Sequence, residues 1–267
     1  MDDGNRFDIV NEIITESRKK DITRFISTHP DDDHIRGLRY LDEKINILNF
    51  YCVKNDATKT DESEDFEKYC ELRDSDKAFY LYKGCKRKWL NMNDEDDGKN
   101  YGLSGINFIW PITDNSDYKD ALENAKNGES PNNISPIFTY SLEDGVTAMW
   151  MGDIENTFLD KIKYEIDWEE IYILFAPHHG RESGKVPTSI LNELKPKLIV
   201  IGEAPSDDLN YYNDYNTITQ NTAGDIVFEC ESSKVHIYVS NENYNVSFLK
   251  DERKPNTYGK YIGTLDV

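Results

Sequence analysis

Cysteine and histidine are scarce in this chain of 267 residues, which holds four of the first and five of the second. Cys52, Cys70, Cys85 and Cys230 are scattered with no C-x-x-C pair among them, which argues against a disulfide framework or a thiolate zinc ribbon and for reduced thiols. Positive charge is short as well: 31 Lys and Arg stand against 51 Asp and Glu, a formal net charge of −20 at pH 7. A surplus of that sign opposes non-specific binding to nucleic acid and to anionic membrane surfaces, because both are polyanions. Long apolar runs are missing too, none approaching the roughly 20 residues that cross a bilayer. The start Met1-Asp2-Asp3-Gly4 lacks the basic and then apolar pattern of a signal peptide. A soluble, cytoplasmic protein with no membrane partner is the expectation.

What is present suffices for a sizeable core, since hydrophobic residues make up 37% of the chain and aromatics 12%. Helical spacing of Phe7, Val10, Ile13 and Ile14 predicts a helix over 6–20, and alternation predicts a strand over 22–27. A second strand is expected at 45–53. From 55 to 100 the pattern decays into charge, with a helix near 62–72, a basic patch at 83–89 and an acidic turn at 93–98. That stretch reads as a charged insertion in a single domain spanning 1–267, and its basic patch as a solvated face or a partner of nearby acids. Strands at 106–111, 171–176 and 197–202 alternate with helices near 118–126, 155–166 and 187–194. One hairpin is expected around Glu143-Asp144-Gly145 and another turning at Ala223-Gly224-Asp225 before a strand at 235–239. The tail after Asn241 has weak periodicity. Strands alternating with helices describe an α/β layered protein.

The densest chemistry lies in Thr28-His29-Pro30-Asp31-Asp32-Asp33-His34-Ile35-Arg36-Gly37, where two imidazoles and three carboxylates occupy positions 29–34 between a strand and a helix. Donors so crowded repel one another unless cations neutralise them, which favours a metal loop over a solvated acidic turn. Gly152-Asp153 and Pro177-His178-His179-Gly180 share its placement immediately after an apolar strand, where α/β proteins build their sites. Four of the five histidines fall in these spots. His236, in an alternating strand, reads as a partly buried sheet residue, and Tyr211, Tyr212 and Tyr215 either line a site mouth or pack against a helix.

His29-x-Asp31-x-Asp33-His34, then Asn132-Asn133-Ile134-Ser135, Gly152-Asp153 and Pro177-His178-His179-Gly180, resembles the metallo-β-lactamase superfamily, closest to the hydrolase domain of bacterial DNA-uptake (competence) proteins. The likeness runs from about residue 2 to about 240 and is weak over the insertion. It implies an αββα sandwich holding one or two divalent metal ions, Mn, Mg or Zn. Carried over by position, His29 and Asp31 would face one ion and Asp33 and His34 the other. Asp153 would bridge, and His178 would complete the second site, with His179 as the alternative ligand. Asp33 would also orient the attacking water, and His179 joins it as a catalytic candidate. Arg181, Ser183, Lys185, Asn133 and Ser135 are the substrate-binding candidates.

Three departures qualify the likeness. The family's usual chain reaches its D-G motif after two or three strands, whereas Asp3-Gly4 stands at the start here, so the N-terminal sheet is expected to be incomplete, from a shortened reading frame or through completion by a partner chain. Arg181 replaces the serine of the family's HHGS and brings a cation for phosphate or for nearby carboxylates. No histidine lies between 132 and 135, which leaves the His29/Asp31 site short of one ligand and weaker. The expected activity is metal-dependent hydrolysis of a small or short phosphodiester, with long nucleic acid disfavoured by charge. A hydrolase of a non-phosphate ester or lactone and a non-catalytic binding member of the fold are the alternatives.

Overall fold

The computed structural model describes residues 3–92 and 102–267, so the acidic turn expected at 93–98 lies outside the described residues. Mixed α/β structure with three sheets is present among them, and the chain divides into two compact units, Met1–Lys83 with Pro111–Pro136 and Gly84–Trp110 with Ile137–Val267. No helix among the described residues is long and apolar enough to cross a membrane.

The first unit runs α1 (Asp3–Glu16), β1 (Phe25–Ile26), α2 (Asp32–Ile35), α3 (Leu38–Lys44), β2 (Phe50–Cys52), α4 (Glu64–Arg73), β3 (Ala78–Tyr80) and α5 (Ser116–Lys126). Its three strands pair in parallel in the order β1-β2-β3, with Phe25 opposite Phe50 and Phe50 opposite Ala78. Parallel neighbours need crossovers, and the helices between the strands supply them. Central β2 is buried at all three positions, as a strand covered on both faces should be. Within the charged stretch, α4 turns Phe66, Tyr69 and Leu72 into the core beside Leu38, Leu41 and Phe50. The apolar positions recur every three residues among charged ones, a narrow buried stripe on a polar helix.

One contact ties α4 to the acidic loop. Gly37 takes φ +92° at the turn from α2 into α3, a conformation that favours glycine but leaves α3 without a capping side chain. Buried Asp65 of α4 supplies the acceptor instead, taking the N–H of Gly37 at 2.8 Å and of Arg39 at 2.9 Å.

The second unit runs β4 (Ile106–Trp110), β5 (Ile137–Ser141), β6 (Thr147–Trp150), α6 (Asn156–Ile162), β7 (Ile173–Phe175), α7 (Thr188–Leu194), β8 (Leu198–Ile201), β9 (Thr217–Thr219), α8 (Gln220–Ala223), β10 (Ile226–Glu231), β11 (Lys234–Val239) and β12 (Lys260–Asp266). Strands β4 to β9 form one six-stranded sheet in sequence order, antiparallel through β6 and parallel beyond. Strands β10, β11 and β12 form a separate antiparallel sheet. The two sheets share one core, in which Ala148, Ile173, Leu198 and Val200 meet Val235, Ile237, Val239 and Leu265. Alternation on β11 therefore sends Lys234, His236 and Tyr238 to the opposite face.

The hairpin around Glu143-Asp144-Gly145 forms as expected, with β5 against β6. The one expected at Ala223-Gly224-Asp225 does not: β10 and β11 reverse at Ser232-Ser233, with Ser233 at φ +63°. Gly224, at φ +73°, instead ends α8, so its turn signal belongs to a helix exit. Strand β12 arises from the tail that shows little periodicity.

Candidate metal centre

In the first unit, β1 gives way to Thr28 and fully buried His29. The His29 Nδ1 lies 3.1 Å from Thr28 Oγ1 and 3.2 Å from Ser135 Oγ, while its Nε2 is 3.7 Å from Asp31 Oδ2. Thr28 Oγ1 also approaches His34 Nδ1 at 3.4 Å, and the two imidazoles stand with ring centroids 4.1 Å apart. Hydroxyls that engage one ring nitrogen fix which nitrogen faces outward, the usual support for a metal-binding histidine. Asp31 occupies the N-cap position of α2 without making a side-chain cap, so its carboxylate is left for other work. Lys59 Nζ sits 3.2 Å from Asp31 Oδ1 and 3.5 Å from Asp32 Oδ2. Burial raises the Asp31 carboxyl above its ordinary pKa, against the lowering pull of Lys59. Of the other two carboxylates, Asp32 accepts from Ser63 Oγ at 2.8 Å, while Asp33 is exposed. Asp31 and Lys59, with Pro30, Thr58, Ser130 and Pro131, line a cleft of about 120 Å³.

In the second unit, Gly152 turns the chain at φ +54° beyond β6 and delivers buried Asp153. After β7 comes a tight turn, Pro177–Gly180, in which His178 (φ +51°, ψ +46°) and His179 (φ +57°, ψ +7°) are both left-handed. Each such residue costs on the order of 1–2 kcal/mol, and backbone strain of this kind gathers at functional sites. The strain serves convergence: His178 Nε2 lies 3.9 Å and His179 Nε2 3.6 Å from the same oxygen, Asp153 Oδ2. His178 donates its backbone N–H to the Gly152 carbonyl at 3.0 Å, and its Nδ1 meets Ser183 Oγ at 2.8 Å. Gly184 is what lets the chain fold back so closely, because a Cβ there would stand 2.3 Å from the Pro177 carbonyl oxygen and 2.6 Å from His178 Cβ. Tyr212 accepts the Val186 N–H at 3.1 Å and Tyr211 donates to the Val186 carbonyl at 2.8 Å, which anchors the end of this loop.

Each unit thus gathers its share of the expected ligands, His29, Asp31 and His34 in one and Asp153, His178 and His179 in the other. Three of the substrate-binding candidates have partners within the chain. Ser135 is fully buried and its hydroxyl supports His29; Ser183 supports His178. Lys185 leans on Glu182 at 3.4 Å and over the Tyr211 ring at 5.0 Å. Asn133 is half-buried in the turn Asn132–Ile134, and Arg181 is exposed beside the histidine pair, its N–H bonded to the His178 carbonyl at 2.9 Å. Tyr211 and Tyr212 brace a loop rather than a helix. Lys59 escapes the sequence reading, since a lone lysine in a polar segment carries no pattern. No model of a known protein family matches the chain, and no match to it is found among curated proteins.

Proposed function

We propose that this chain is a metal-dependent hydrolase of the metallo-β-lactamase kind, an αββα sandwich acting on a small or short phosphodiester. The observation that carries the reading is the pair of left-handed histidines aimed at one buried carboxylate, His178 and His179 at Asp153. Such a turn is costly to form, and metal ligation is the chemistry that this donor set suits. The fit extends to donor type: imidazoles and carboxylates with no thiolate suit Zn, Mn or Mg, and Ser135, Thr28 and Ser183 hold the imidazoles by their other nitrogens. In this reading His29, Asp31, Asp33, His34, Asp153 and His178 are the ligands of one or two divalent ions.

A bound divalent ion supplies Lewis acidity toward a phosphoryl oxygen and a more acidic water. The chain's own groups do the rest. Asp33, the exposed carboxylate of the loop, orients the attacking water and takes its proton. Ser183 fixes the His178 ring, and the neighbouring His179 presents Nε2 to protonate the leaving oxygen. Arg181, exposed beside the histidine pair, offers a cation to the substrate anion.

Chelator-stripped protein is expected to regain turnover of a chromogenic phosphodiester on addition of Mn²⁺ or Mg²⁺ at least as well as Zn²⁺, because carboxylates move preference toward harder ions. Restoration by Zn²⁺ alone would contradict that preference. Failure of every divalent ion to restore turnover, with lactones and carboxylic esters hydrolysed instead, would move the protein to a different substrate class.

A further inference from the structure

We infer that the polar face of the sheet β10-β11-β12 carries a separate divalent-cation site, made by Glu229, Glu231 and His236 and suited to zinc. The register builds it: Glu229 stands opposite His236, and Glu231 is the next residue along β10 on the same face. Ligating atoms of all three lie within 4.8 Å of one another. Carboxylates gathered on a strand are commonplace, and His236 is what sets these apart. It is fully buried, its Nδ1 is held at 2.7 Å by Thr264 Oγ1 on the neighbouring strand, and its buried Nε2 makes no close hydrogen bond, Glu231 Oε2 standing 3.5 Å away. In the tautomer whose Nδ1–H donates to Thr264, the Nε2 lone pair is the remaining ring donor.

Nε2 faces Glu231 Oε2 at 3.5 Å. Two ligands of one tetrahedral zinc, with bonds of about 2.0–2.2 Å, stand roughly 3.3–3.6 Å apart, so the gap has the width that a shared cation requires. The surrounding groups leave room for it. Lys254 Nζ takes the other oxygen of Glu231 at 3.5 Å, and the Tyr238 hydroxyl donates to one oxygen of Glu229 at 2.9 Å, which leaves each carboxylate one oxygen. The nearby Lys234 is engaged by Glu252 at 2.6 Å. Two carboxylates and a neutral imidazole carry the charge that a divalent ion neutralises, with a fourth position left for water. Lys254 is the internal competitor.

The test uses the full chain, stripped with a chelator and titrated with zinc alone while imidazole resonances are followed by NMR; five histidines are few enough to assign. His236 signals are expected to shift on zinc addition in the wild type and to stay in place in a Glu229→Gln/Glu231→Gln variant, which also binds one equivalent fewer. Lys254→Met is expected to tighten binding severalfold by removing the competing cation. Glu231 lies at the surface, so its isosteric replacement is compatible with folding where loss of His236 is not. Signals of His29, His34, His178 and His179 report the other donor sets separately, so failure there leaves this site's result intact. His236 signals that ignore zinc, or an unchanged number of equivalents in the double variant, would overturn the site and leave His236 as an ion-pair partner of Glu231.

Discussion

His178 and His179 hold consecutive left-handed backbones that only glycine adopts without cost. Replacing His179 by glycine is expected to relieve strain and leave the metal-free protein as stable as the wild type or about 1 kcal/mol more stable, while turnover of a small phosphodiester by the metal-loaded protein falls. His179→Ala keeps the strained backbone and gains nothing. Urea unfolding of the stripped variants beside a phosphodiesterase assay of the metal-loaded ones checks both halves, and a clearly destabilised glycine variant would show that the turn is held by contacts rather than by function. At this scale the sequence discloses the donors and hides their supports. His29, Asp31, His34, Asp153 and the His178-His179 pair stand out by type and crowding. The support that Ser135 gives His29 does not, because the two are 106 positions apart. Lys59 is equally silent, since its meaning comes from the fold that lays it on Asp31.

Helix α4 governs how the acidic loop is held. Its Asp65 accepts the N–H groups of Gly37 and Arg39 inside the unit, and Asp65→Ala would strand two donors. The expected loss is about 2 kcal/mol or more, read as a lower urea midpoint, and Asp65→Asn should recover part of it. A midpoint equal to the wild type would mean that the cap is dispensable. At the other end of α4, Arg73 donates twice to Asp74, at 2.7 Å each, and holds its carboxyl below the ordinary carboxylate pKa. A depressed pKa means that the folded state favours the charged form. The pair's contribution is therefore present above the unfolded-state pKa and lost as pH falls through the folded one. The difference in midpoint between wild type and Asp74→Asn is expected at neutral pH and should vanish in acid. A difference that persists in strong acid would assign the effect to packing. Elements with strong periodicity, such as α5, β4 and β8, are readable from the sequence. The β10-β11 turn is not, because two serines make the reversal while the glycine upstream ends a helix, and β12 draws its order from pairing with β11 rather than from its own alternation.

For the molecule as a whole, the −20 net charge sets what can approach it. Gripping several phosphates needs a basic track whose hold weakens steeply with salt, while one phosphodiester needs only a metal and a cation or two. Small diesters should accordingly be cut faster than plasmid DNA at equal phosphodiester concentration in moderate salt, with Arg181→Ala raising the KM for the small substrate. Efficient plasmid cutting without turnover of small diesters would reverse that order. The α/β class and the three donor-rich strand ends are legible in the chain, but its division into two compact units is not, since the boundaries at Lys83 and Trp110 fall inside runs that read as continuous. Metal binding at Asp153 and His178 underlies all of these expectations. Metal content of the purified Asp153→Ala protein, measured by elemental analysis beside the wild type and after confirming that both are folded, tests it most directly. The wild type is expected to carry at least one equivalent of divalent ion more than the variant, whose remaining metal would belong to Glu229, Glu231 and His236; an Asp153→Ala protein with as much metal as the wild type would contradict metal binding at Asp153.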